Sequence, residues 1–179
     1  PIAILVLIQL TNIPDALLLL RLYDLGFSIQ AVVITYALYS CVTVLCAYPA
    51  GLLTDRFSPQ HVYATGLIAF ACAYATLGFT NNHTIAVMAM LVYGIFPALT
   101  DGVGKAWVAK LSDDHHRGRA QGVYQASMNF AVLGAGIWGG AFWMSGATEP
   151  VLVIAAIGAL VGSAYFWIRI ALERLSDRS

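Results

Sequence analysis

Three side chains stand where charge is costly. Asp15, Asp101 and Lys105 each lie inside a long apolar run, and an ionisable group within a membrane-spanning segment is a functional hypothesis by default. Asp15 directly follows Pro14 and lies about one helical turn after Asn12. A proline inside a helix strips the carbonyl four residues back, that of Leu10, of its usual donor. A freed carbonyl beside a carboxylate suits a water-lined cavity, where irregular backbone is tolerated. There Asp15 can contact a polar solute, or carry a proton if burial brings its affinity near working pH. The alternative is a plain hydrogen bond to a neighbouring helix. Asn12, Tyr36 and Tyr39 are further groups that can line the same cavity. Asp101 and Lys105 are spaced i,i+4, so one helix face can hold them as an ion pair. Pro97 frees the carbonyl of Tyr93 in the same way. The position of this pair serves a gate or helix anchor as readily as a substrate site.

The elements that must hold these groups are apolar helices. The chain of 179 residues is 60% hydrophobic and only 10% charged, with a mean hydropathy of +0.78. Soluble domains run near half apolar and a quarter charged, so the bilayer is the natural solvent. A membrane helix needs about 20 mostly apolar residues. Six such runs are present, at 2–24, 29–53, 60–80, 84–109, 118–144 and 149–172, within one domain covering 1–179. The expected fold is all-α, a six-helix polytopic membrane protein with antiparallel neighbours joined by short loops. The alternating pattern of an outer-membrane barrel is absent.

Orientation follows from Lys and Arg in the loops. Arg56, Lys105, Lys110, Arg117, Arg119, Arg169, Arg174 and Arg178 fall on one side, and Arg21 alone on the other. Loops 54–59 and 111–117 and the C-terminus are therefore expected in the cytoplasm, with the protein in the cell membrane. Arg21 and Asp24 lie near the outer end of the first run, can snorkel to water and are spaced to pair.

Other features carry less chemistry. Basic and acidic residues balance at 9 each, without the clustered basic face of a nucleic-acid binder. Cys41, Cys46 and Cys72 lie in apolar segments and read as small buried hydrophobes. Gly118/Gly122, Gly136/Gly140 and Gly158/Gly162 have the small-xxx-small spacing of close helix packing. Asn82-His83-Thr84 matches a glycosylation sequon by chance. His115 and His116 belong to a solvated loop with Asp113 and Asp114, so no metal or cofactor is expected. No G-x-S-x-G or H-E-x-x-H is present, and the aspartates lack a protease-type flank, which argues against an enzyme. The chain opens at Pro1 without a signal peptide, and is expected to be a fragment.

Runs one and four each open a group of three and carry a proline close to an aspartate, which suggests two inverted three-helix repeats. The loop after run two reads Gly51-Leu-Leu-Thr-Asp55-Arg56-Phe57-Ser58-Pro59. At the cytoplasmic end of an even-numbered run it resembles the G-x-x-x-D-R signature of the major facilitator superfamily. Ser58, Pro59 and Gln60 stand where that signature continues Gly-basic-basic. Lys105-Ala-Trp-Val-Ala-Lys110 and Arg117-Gly-Arg119-Ala-x-Gly122-x-Tyr124 resemble the family's connection between helices ten and eleven. The resemblance covers nearly the whole chain and implies the C-terminal six-helix half, helices seven to twelve. It implies a secondary transporter of small solutes working by alternating access, with proton-coupled efflux by antiport as one form. Asp55 and the Asp113–Arg119 loop would then face a missing N-terminal half, Gly51, Arg56, Arg117 and Arg119 would be gating or structural residues, and Asp15 would be the first choice for solute or proton contact. Membrane lipid and a small solute are the other expected partners. The competing reading is a non-transporting membrane scaffold or subunit derived from a half-transporter.

Overall fold

The computed structural model describes residues 2–176; Pro1 and Arg178, used above, lie outside them. The described residues are all helix and loop. In order they form α1 (Ile2–Gln9), α2 (Asp15–Asp24), α3 (Ile29–Arg56), α4 (Pro59–Phe79), α5 (His83–Tyr93), α6 (Ile95–Lys110), a 3-10 turn (Asp114–His116), α7 (Arg117–Met144) and α8 (Thr148–Ser176). Four stretches are long and apolar enough to cross a membrane: α3, α4, α5 with α6, and α8. The chain is thus a multi-pass membrane protein by composition and length. The run 84–109 is divided at Gly94, and the run 2–24 is two short helices rather than one.

Local chemistry sets the ends. Ser28 caps α3 by accepting from the Ala31 amide at 3.3 Å, and Pro59 opens α4, where its missing N–H is no loss. Asn82 accepts from the amides of Thr84 and Ile85 at 2.9 and 3.3 Å, so this sequon asparagine is a helix cap. Gly26 turns the chain out of α2 with φ 90°. The Phe27 amide donates back to the Leu22 carbonyl at 3.2 Å, closing a Schellman turn.

The break between α1 and α2 follows from Thr11-Asn-Ile-Pro14. Proline disfavours helix at Ile13 and cannot donate to Leu10. Three other helices brace the opened backbone. Trp138 of α7 donates its indole N–H to the Leu10 carbonyl at 2.8 Å, and Tyr74 of α4 donates to the Ile13 carbonyl at 3.1 Å. Gly158 of α8 lies so close to Thr11 that a Cβ there would collide with it. The freed carbonyl expected at Leu10 therefore exists, with a donor 128 residues away. Of the three glycine pairs, Gly158/Gly162 packs on Thr11 and Ile8, and Gly136 on Pro14. Gly118, Gly122 and Gly140 have open space beside them.

α4 is the enclosed centre, packed between α8, α6 and α5, with Tyr63, Leu67, Phe70 and Tyr74 fully buried. α3 instead crosses α5 and α6 at Gly94. A Cβ there would lie 2.8 Å from the Tyr39 carbonyl and 3.1 Å from Val42 Cβ. The Gly94 carbonyl accepts from Thr43 Oγ1 at 3.0 Å. Because the obstacle is backbone, Gly94→Ala must push α3 outward. We expect it to lower stability by about 1–3 kcal/mol, read as a fall in the thermal unfolding midpoint in detergent.

Three sequence expectations are corrected. Cys41 and Cys72 are exposed and Cys46 is half-buried, so none is a buried hydrophobe. Arg21 and Asp24 do not pair: Arg21 is buried and donates to carbonyls at the end of α4, while Asp24 accepts from Trp143 Nε1 at 3.3 Å. Among the described residues Asp101 and Lys105 are not within ion-pair contact, although the Lys105 charge still acts on Asp101. Both side chains are exposed, and the Lys105 carbonyl accepts from Gln121 Nε2 at 2.6 Å.

Candidate functional site

Asp15 is the first residue of α2, so its carboxylate stands at a helix N-terminus, where negative charge is favoured. Two tyrosines from different helices fix it. Tyr93, the last residue of α5, donates to Oδ1 at 2.7 Å, and Tyr39 of α3 donates to Oδ2 at 3.2 Å. Their rings stack on each other, with centroids 5.2 Å apart and planes 12° from parallel. Asp15 thus accepts hydrogen bonds from two neighbouring helices and also lines a cavity.

That cavity has a volume of about 330 Å³. Asn12, Pro14 and Asp15 from the first break line one side of it, and Phe96, Pro97 and Asp101 from beyond the second break line the other. Both interruptions thus open onto one space. The Asn12 amide oxygen is shielded from solvent and accepts no hydrogen bond. Tyr36 does not line the space; it stacks on Tyr39 at 5.4 Å and braces it from outside.

A second cavity of about 440 Å³ runs along α3 and α6 and meets the first at Pro97 and Asp101. Its wall is made of small residues, among them Ala47, Ala50, Gly51, Ala98 and Gly102. Gly51 of the loop signature is therefore at its far end. Asp55 and Arg56 are exposed and make no hydrogen bond or ion pair among the described residues. Arg117 and Arg119 are exposed at the start of α7. None of these four charged residues lines the Asp15 cavity.

The Tyr93 hydroxyl escaped the sequence reading, which used only that residue's carbonyl. The signal was position: Tyr93 immediately precedes Gly94 and lies four residues before Pro97, as Asp15 lies beside Pro14. Trp138 and Tyr74, which hold the broken backbone, carried no such local mark.

Interrupted apolar helices that converge on a polar cavity define a multi-pass membrane protein built around a solute-sized site. The Major Facilitator Superfamily model matches residues 2–178, and the chain belongs to that superfamily. Its relatives include the class C tetracycline resistance protein of Escherichia coli, 29% identical over 124 residues, which are 69% of this chain and 31% of that protein. An MFS-type transporter of Methanocaldococcus jannaschii is 25% identical over 124 residues, with the same coverage of each chain. A probable 4-methylmuconolactone transporter of Cupriavidus pinatubonensis is 28% identical over 85 residues, 48% of this chain and 20% of that protein. The matched stretch is 31% or less of the length of each of these relatives. No solved structure matches the chain.

Proposed function

We propose that this chain forms the solute-binding half of a secondary transporter working by alternating access, with Asp15 as the group that meets solute or proton. The observation that carries the reading is the convergence of two helix breaks on one cavity, with Asp15 held between Tyr39 and Tyr93. In this reading α1 with α2, α3, α4, α5 with α6, α7 and α8 are six spans in two inverted three-helix repeats, each opened by its broken helix. Loops 54–59 and 111–117 and the C-terminus face the cytoplasm, following the distribution of Lys and Arg. The exposed Asp55, Arg56, Arg117 and Arg119 contact a second six-helix half, and Asp101 lies where the two cavities meet. Relatives named for tetracycline resistance and 4-methylmuconolactone transport support small organic solutes as the cargo class.

Thiol accessibility tests the alternation. Val132 lines the Asp15 cavity from α7 and is half-buried. In the full-length protein, with Cys41, Cys46 and Cys72 changed to Ser, Val132→Cys is labelled by an impermeant reagent in right-side-out and inside-out vesicles. The expected result is labelling from both faces, with solute shifting the two rates in opposite directions. Labelling confined to one face, whatever solute is present, would contradict alternating access.

A further inference from the structure

We propose that the Asp15 cavity selects protonated amines, an ammonium group carried on a compact apolar body. This inference rests on the transporter reading above and names its substrate class. Charge balance is the first argument. The wall contains two carboxylates, Asp15 and Asp101, and among the described lining residues no lysine, arginine or histidine. Lys105, one turn beyond Asp101, does not line the cavity; its charge acts on Asp101 from outside it.

Hydrogen-bond polarity is the second. The partners of Asp15 are the neutral hydroxyls of Tyr39 and Tyr93. Having donated to the carboxylate, each hydroxyl has only lone pairs to offer a ligand. An anion would meet two carboxylates and no cation on the cavity wall, and a neutral apolar solute would leave the hydroxyl lone pairs unmatched. The site therefore discriminates both by attraction and by penalty.

Shape is the third. Ile13, Phe96 and Val132 supply an apolar wall, and the aromatic rings favour a nearby cation. A space of about 330 Å³ equals the liquid volume of roughly ten waters, enough for a single-ring amine.

The test uses the full-length protein in nanodiscs and three probes of matched size: phenethylammonium, 3-phenylpropionate and 2-phenylethanol. By calorimetry, phenethylammonium is expected to bind at least about tenfold more tightly than either other probe. Asp15→Asn should weaken it by about tenfold or more, and Asp101→Asn by a smaller factor. Equal or tighter binding of phenylpropionate or phenylethanol overturns the proposal, as does absent binding of phenethylammonium. The charge series is measured on the wild-type protein, so a misfolded variant does not shelter the idea. Vesicle flux separates this inference from the one beneath it. Binding of phenethylammonium without translocation leaves amine selectivity standing and defeats the transporter reading. Equal flux of phenylpropionate and phenethylammonium leaves transport standing and defeats amine selectivity.

Discussion

Asp15→Asn is expected to lower solute transport by the full-length protein at least about tenfold while the helices stay folded. The substitution keeps the size of the side chain and removes its charge. An amide oxygen can still accept from one tyrosine, but the amide NH2 then confronts the other hydroxyl, which must turn to accept. Bonds to an ionised acceptor are roughly twice as strong as neutral ones, so the Tyr39–Asp15–Tyr93 arrangement loosens without falling apart. Tyr93→Phe removes the 2.7 Å bond but keeps the ring that stacks on Tyr39. Its transport defect should be smaller, about three- to tenfold. Initial rates in proteoliposomes, normalised to incorporated protein, measure both effects, and unfolding midpoints in detergent separate them from misfolding. Wild-type rates in Asp15→Asn would remove this residue from the site. A drop in midpoint that accounts for the whole rate loss would make Asp15 a structural group.

Part of this site was legible in sequence because its signals are local. Pro14 beside Asp15 announces both a backbone irregularity and the charge that uses it, and the irregularity is found there. Yet hydropathy reads 2–24 as one run, because leucine and isoleucine continue on both sides of Thr11-Asn12. A helix break costs little hydropathy when other helices satisfy the opened carbonyls. Those donors, Trp138 and Tyr74, lie 128 and 61 residues away from their acceptors, and no spacing rule reaches them. The same limit hid the Tyr93 hydroxyl, which reaches Asp15 across 78 residues.

Asp101 and Lys105 illustrate the converse limit. Spacing of i,i+4 permits a pair but does not demand one, and exposed pairs gain only about 0–1 kcal/mol. The Lys105 side chain therefore has little to hold it to Asp101, and the carboxylate is left facing the two cavities.

Arg21→Leu should destabilise the fold strongly, by about 3 kcal/mol. Arg21 is 8% exposed and sits at the end of α4. Its Nε donates to the Leu77 carbonyl at 3.0 Å, and one terminal nitrogen to those of Gly78 and Thr80 at 3.3 Å each. The last carbonyls of a helix lack partners within it and carry partial negative charge. A buried guanidinium answers both needs at once, and its planar fork reaches several acceptors that a leucine would leave bare. α2 is tied by this contact to α4, the helix that also bears Tyr74, so losing it loosens both ends of the short helix that presents Asp15. Arg21→Lys keeps the charge but not the fork and should recover about half of the loss. Denaturant or thermal unfolding in detergent checks the order wild type, Lys, Leu. Equal stability of the Leu variant would show that water satisfies these carbonyls, placing this helix end in the interface rather than within the apolar layer.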